Sequence, residues 1–202
     1  MAVTRIGVLA LQGDYALHAR LLGQLGAEVQ LVRRVEELAA VESNGSGQAG
    51  LSGLVIPGGE STTLRKLMRR SGLDAAIQEF ASSRPVLGTC AGCILLASDL
   101  EDARGVEPLG LIDISVRRNG YGRQVDSFEA VVEGLEEAGP VAFIRAPRIT
   151  RVGSAVSVFG HVDGEPVAVR QGLVSALTFH PEVTGTTDWH RAWLQGAFAG
   201  VA

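Results

Sequence analysis

Cys90 lies in the segment PVLGTCAGCILL at 85–96, where one apolar run meets Gly88-Thr89-Cys90-Ala91-Gly92 and a second follows. G-x-C-x-G between a strand pattern and a helix pattern is a nucleophile elbow, the cysteine counterpart of G-x-S-x-G. Small residues flank the nucleophile because the strand-to-helix turn is tight. The turn lifts the thiol clear of the sheet and sets it at a helix N-terminus, where the dipole favours thiolate. The backbone N–H of Ala91 then points toward an oxyanion. Two other readings fit the same residues. Cysteine is a common small core residue, and Cys90-Ala91-Gly92-Cys93 has the C-x-x-C spacing of a redox pair. Cys93 falls among apolar residues on the third helical position, which suits core packing better than redox chemistry.

A base must reach the thiol. The segment SALTFHPE at 175–182 ends a strand pattern on His180-Pro181-Glu182. Residues two apart on extended chain face the same way, so His180 and Glu182 can share one site. The carboxylate would fix the imidazole tautomer and stabilise its protonated form, while the imidazole serves the thiol. His18, His161 and His190 have no such neighbours in sequence.

A third segment, LVIPGGESTT at 54–63, ends a strand on Pro57-Gly58-Gly59 and opens a helix at Ser61. Bare glycine backbone lets a ligand approach, and its N–H groups can hold an oxyanion. A phosphate loop would need the Walker spacing and its lysine, and both are missing.

These segments need a scaffold that brings strand ends together. Ile6–Leu11 reads as a strand. Asp14 then caps a helix with Leu17, Leu21, Leu22 and Leu25 on one face and Gly26 as its stop. Val29–Val32 is a second strand, followed by a short helix at 35–40 and a Gly/Ser-rich loop at 43–50. Leu54–Ile56 is a third strand. Ser61 caps the next helix, which Gly72 closes, and another helix spans 73–83. Pro85–Leu87 opens a fourth strand, and Ala91–Leu100 reads helical. This βαβα order predicts an α/β fold: an open, mostly parallel twisted sheet with helices on both faces. The second half adds extended runs at 109–116, 125–132, 141–144, 152–159, 166–170 and 175–179, which extend the sheet or supply extra antiparallel strands. A last helix at 187–199 carries Trp189, Trp193 and Ala197 at four-residue spacing. All three chemical segments fall at carboxyl ends of parallel strands, where open α/β sheets bind ligands.

The 202 residues fit one domain, with no boundary or repeat along 1–202. A net charge of −4 with mixed signs gives no nucleic-acid or membrane signal. Two cysteines three positions apart exclude a disulfide framework. The apolar start is too short for a membrane span and lacks a signal peptide's cleavage region, so a cytoplasmic protein is expected.

With Cys90, His180 and Glu182 identified, the chain resembles the class I, triad-type glutamine amidotransferases. More narrowly, it resembles the glutaminase subunits of glutamine-dependent pyridoxal 5'-phosphate synthases. The marks are GVLALQGD at 7–14, PGGESTT at 57–63, GTCAG at 88–92, RNGYGRQVDSFE at 118–129, FIRAP at 143–147 and FHPE at 179–182. The elbow and H-x-E belong to the wider class, and the other motifs are narrower. The resemblance implies Cys90, His180 and Glu182 as the triad, with an oxyanion hole from Gly59 and Ala91. It implies glutamine binding by Gly58, Gly59, Glu60, Arg118, Ile144 and Arg145. It further implies L-glutamine as substrate, no metal or organic cofactor, and a barrel-shaped synthase subunit as partner in a hetero-oligomer. The loop at 43–53 is long for the pattern, and the chain ends soon after its last helix. Remaining alternatives are a glutaminase serving another biosynthetic synthase, a non-catalytic regulatory protein on the same scaffold, and a cysteine hydrolase or chaperone with an elbow cysteine.

Overall fold

The computed structural model describes residues 4–39, 50–103, 105–120 and 127–196. The first half alternates strand and helix: β1 (Arg5–Leu9), α1 (Tyr15–Gln24), β2 (Glu28–Val32), α2 (Val35–Ala39), β3 (Gly53–Ile56), α3 (Ser61–Ser71), α4 (Leu73–Ala81), β4 (Val86–Thr89) and α5 (Ala91–Leu96). Then follow β5 (Ala97–Leu100), β6 (Ile112–Arg117), β7 (Phe128–Val131), β8 (Pro140–Phe143), β9 (Arg148–Val152), β10 (Ser157–Val162), β11 (Glu165–Gln171), β12 (Val174–Leu177) and α6 (Asp188–Leu194).

The main sheet has seven strands in the order β10-β11-β12-β4-β3-β1-β2. The five from β12 to β2 run parallel, and β11 and β10 add an antiparallel flank. Separate small sheets are formed by β5-β6-β9 and β7-β8. The expected α/β class, with a mostly parallel sheet plus antiparallel strands, is borne out. Side chains alternate across the sheet as period two requires. Leu54, Ile56, Val86 and Ala176 pack with Leu64 and Met68 of α3, Ile77 of α4 and Leu95 of α5. Val55, Leu87 and Leu177 face the other way, with Leu22 of α1 and Trp189 and Trp193 of α6.

Several boundaries differ from the sequence expectation, each for a local reason. The apolar run from Ala91 does not stay helical to Leu100. It leaves the helix at Ala97, whose φ/ψ is −56°/158°. The returning chain explains this: the N–H groups of Leu109, Leu111 and Gly110 donate to the carbonyls of Leu95, Leu96 and Ala97 at 2.7, 2.9 and 3.0 Å. Those tertiary bonds end the helix, and they also delay β6 until Ile112. The run at 152–159 is two strands, because Gly153 turns the chain and donates to the Asp113 carbonyl at 2.8 Å. Asp14 occupies the cap position of α1, but its side chain makes no cap bond. Ser61 is not the cap of α3. Glu60 is, accepting from the Thr62 and Thr63 N–H groups. The loop at 43–50 mostly lies outside the described residues, as do 125–126 of the expected strand and 197–199 of the last helix.

Candidate active site

Three neighbouring parallel strands carry the chemical segments. Ile56 at the end of β3 pairs with Gly88 on β4, and Leu177 at the end of β12 pairs with Thr89. The chain leaving β3 is Pro57-Gly58-Gly59, the chain leaving β4 is Cys90, and the chain leaving β12 reaches His180 three residues on. Adjacency of the strands therefore brings the three segments together without help from distant loops.

Cys90 has φ/ψ of 46°/−100°, a conformation that L residues rarely adopt. Its N–H donates to the Leu177 carbonyl at 2.9 Å, and its carbonyl accepts from Ile94 N–H at 3.1 Å, closing the first turn of α5. The turn is packed so closely that a Cβ on Gly92 would collide with the Ile56 carbonyl, and one on Gly88 would come within 2.7 Å of the Gly92 backbone. A side chain at Gly92 would push α5 from β3, and one at Gly88 would push α5 from β4. Cys90 keeps 6% exposure, and its Sγ lies 3.9 Å from the Ile144 carbonyl. Cys93 is fully buried in the α3–α5 core, where burial and then the neighbouring Cys90 push its thiol far above the ordinary range. A thiol so resistant to ionisation suits neither partner of a redox pair.

His180 is held by its backbone, whose N–H donates to the Ala142 carbonyl at 2.8 Å. Its Nδ1 lies 2.7 Å from Glu182 Oε1, leaving Nε2 to serve the thiol. Burial opposes protonation of this ring, but hydrogen bonding to Cys90 and Glu182, with their negative charges, outweighs it and raises the pKa to about 10. Glu182 is 2% exposed. Burial acts to raise its pKa, yet His18 and His180 together hold it well below the carboxylate range. The result is a carboxylate–imidazolium pair beside the sulfur.

A cavity of about 180 Å³ opens over Cys90, lined by Gly59, Glu60, Arg118, Ile144, Arg145 and His180 among others. Of the candidate residues from the sequence, Gly58, Ala91 and Glu182 stand just behind this lining. Gly58 is under the His180 ring: a Cβ there would come within 2.9 Å of Nδ1. Its carbonyl accepts from Asp14 N–H at 3.4 Å. In a trans peptide the Gly59 N–H lies on the opposite edge. Gly59 has φ of 150°, and Gln12 Oε1 accepts from the next N–H, that of Glu60, at 2.9 Å. Glu60 caps α3, with both oxygens taking Thr62 and Thr63 donors, and its carboxyl is lowered to about 2: burial raises it, and the Thr63 hydroxyl and the two N–H groups more than reverse this. Arg118 crosses the pocket wall, donating to Thr62 Oγ1 at 3.2 Å and standing 3.6 Å from Glu60. Arg145 is exposed and, like Asn119, holds a positive φ.

The sequence reading missed Asp14, Ser61, Ile94 and Asn119, which also line the cavity. It also missed His18 and His190, which are fully buried behind Glu182. Their signal was periodic. His18 shares the buried face of α1 with Leu21 and Leu22, and His190 sits between Trp189 and Trp193 on α6. A titratable residue at a core position needs a partner. Donor atoms of Asp14, His180 and Glu182 lie within 4.8 Å of one another. A cation there would compete with the His180–Glu182 hydrogen bond.

The mostly parallel sheet with its cysteine turn places the chain among the glutamine amidotransferases. A crystal structure described as a glutamine amidotransferase superposes with a TM-score of 0.82 at 42% identity, covering 94% of this chain and 97% of its own. The chain belongs to the SNO glutamine amidotransferase family, whose pattern matches residues 8–196. It is 48% identical over 199 residues to the pyridoxal 5'-phosphate synthase subunit PdxT of Dehalococcoides mccartyi, covering 96% of this chain and 97% of that one. The corresponding protein of Mycolicibacterium vanbaalenii is 48% identical over 201 residues, covering 96% and 98%.

Proposed function

We propose that the chain hydrolyses the side-chain amide of L-glutamine to glutamate and ammonia, and passes the ammonia to a synthase subunit that builds pyridoxal 5'-phosphate. The observation that carries this reading is the convergence of three adjacent strand ends on Cys90, His180 and Gly59 over one cavity. The relatives' name as synthase subunits supports a partner chain.

Cys90, as thiolate, attacks the amide carbon. The carbonyl oxygen becomes an oxyanion, held by the Ala91 N–H at the start of α5 and by the Gly59 N–H. His180 gives its proton to the departing ammonia, and a thioester remains on Cys90. His180 then takes a proton from water, the hydroxide attacks the thioester, and glutamate leaves as the Cys90 thiolate is restored beside the protonated His180. Glu182 holds the imidazole tautomer and balances its charge. Arg118 receives the substrate carboxylate, and Glu60, already ionised, faces the ammonium. Gly58 gives the ring of His180 room, while Ile144 and Arg145 close the opposite wall. No step calls on a metal or organic cofactor.

The partner is a barrel-shaped synthase subunit, joined with this chain in a hetero-oligomer of the cytoplasm, and residues 1–202 act as one glutaminase domain. Among the described residues no helix is long and apolar enough to cross a membrane. The Gly58–Gly59 peptide is held by one long bond to Asp14, and a glycine pair can rotate at little steric cost. Docking would then select the orientation that aims the Gly59 N–H at the substrate. The test is glutamate release from glutamine with and without the synthase subunit. The reading expects slow release alone and faster release with the partner. No release in either case would contradict it.

A further inference from the structure

The residue behind the triad is itself a histidine. Glu182 lies between two imidazoles: Oε1 faces His180 Nδ1 at 2.7 Å, and Oε2 faces His18 Nε2 at 3.3 Å. The same His18 nitrogen is 3.1 Å from the hydroxyl of Thr89, the residue before the nucleophile. On its other side, His18 Nδ1 is 2.7 Å from His190 Nε2. Glu182, His18, Thr89 and His190 are at most 2% exposed, and they come from four separate segments of the chain.

Donor and acceptor counting places one proton of this network. An ionised carboxylate only accepts, so the 3.3 Å approach of Glu182 Oε2 calls for a proton on His18 Nε2; this N–H donates to Thr89 Oγ1, while Oε2 stands beside it with no hydrogen-bond partner among the described residues. Between His18 Nδ1 and His190 Nε2 one ring nitrogen donates and the other accepts. His190 Nδ1 has no hydrogen-bond partner among the described residues. Burial, and then His18, hold the His190 pKa down at about 3, so its ring stays neutral. The charged or titratable groups around Glu182 are His18 from α1, His180 from its own segment, His190 behind His18, and Asp14 and Cys90 on the cavity side.

We propose that His18 is a positioning residue for the catalytic pair: it keeps Glu182 ionised against its burial and ties it to the strand that carries Cys90, with His190 holding the far side of the His18 ring. The proposal rests on the function given above. His18 does not line the substrate cavity, so it acts through Glu182 and His180. Without it, Oε2 of a carboxylate in a dry site loses the imidazole N–H beside it, and burial favours the protonated form. His180 then loses its counter-charge, its proton is held less firmly, and Cys90 ionises at higher pH.

The test is the pH dependence of Cys90 alkylation by iodoacetamide, in which the thiolate displaces iodide. The probe carries a primary amide like the substrate's and needs no partner. Wild type is compared with His18→Leu, His18→Gln and the control Cys90→Ser. A reactive wild-type thiol absent from Cys90→Ser supports the glutaminase reading. A wild-type Cys90 no faster than a free thiol overturns that reading and this proposal together. Given a reactive Cys90, His18→Leu should raise the alkylation midpoint by about one pH unit, a roughly tenfold loss of rate on the acid side. His18→Gln, whose Nε2 can donate to the same oxygen, should recover most of it. In the glutaminase assay, kcat should fall in His18→Leu while KM changes little. Equal midpoints in all three proteins, or equal shifts in both His18 variants, overturn the proposal. Should His18→Leu fail to fold, ring-nitrogen NMR of the wild type decides. A proton on His18 Nε2 supports the proposal, and a bare Nε2 overturns it.

Discussion

The backbone N–H of Cys90 donates to the carbonyl of Leu177 at 2.9 Å. This bond continues the β4–β12 ladder one residue past the end of β4. It ties Cys90 to the strand that leads into His180, so thiol and imidazole are spaced by a sheet register. A register is a rigid ruler, because slipping it by one residue would turn every side chain of β12 to the other face.

The two cysteines should therefore separate cleanly. Cys90→Ser is expected to lose glutamine hydrolysis by several orders of magnitude. Cys93→Ala is expected to keep most of it, at a stability cost of about 1 kcal/mol for a vacated core site. Steady-state glutamate release and thermal melting of both variants check this. Comparable loss of activity in both would favour the paired-cysteine reading.

Stability should depend on pH through the His180–Glu182 pair. His180 is raised from 6.5 to about 10, so its contribution is complete below 6.5 and is lost as pH climbs toward 10. Glu182 is lowered from 4.5, so its contribution is complete above 4.5 and is lost as pH falls below that value. The pair therefore supports the fold fully between about 4.5 and 6.5. Melting temperature measured across this range and beyond should fall on both sides, and in Glu182→Gln both slopes should flatten. Identical slopes in the two proteins would contradict the assignment.

Much of the fold and part of the site were legible in the sequence. Strand-length apolar runs and glycine stops located the parallel sheet, and G-x-C-x-G and H-x-E located Cys90, His180 and Glu182, because these signals are local. What escaped was set by contacts distant in the chain. The end of α5 is decided by the chain at 109–111, which no window around residue 97 contains. The cap of α3 fell to Glu60, whose carboxylate reaches two N–H groups, while Ser61 became the first helical residue. His18 and His190 lie 172 residues apart, and only the packing of α1 against α6 makes them neighbours.

Arg118 should govern substrate affinity. It is 14% exposed by side chain and is held beside Glu60 and Thr62. Removing a charge-assisted contact costs about 1.5–3 kcal/mol, which is roughly 10- to 150-fold. Arg118→Ala should raise the KM for glutamine by that factor, with a smaller change in kcat. An unchanged KM would remove Arg118 from the substrate site.

The most direct test of the central claim, that Cys90 generates ammonia for a partner's chemistry, is the nitrogen source that a Cys90→Ala mixture can use. Cys90→Ala combined with the synthase subunit should form no pyridoxal 5'-phosphate from glutamine. The same mixture should form it from a concentrated ammonium salt at mildly alkaline pH, where more free ammonia exists. The substitution removes one nearly buried thiol, so the docking surface should survive. Product from glutamine in the Cys90→Ala mixture, or failure of ammonium there while it sustains the synthase subunit alone, would contradict the account.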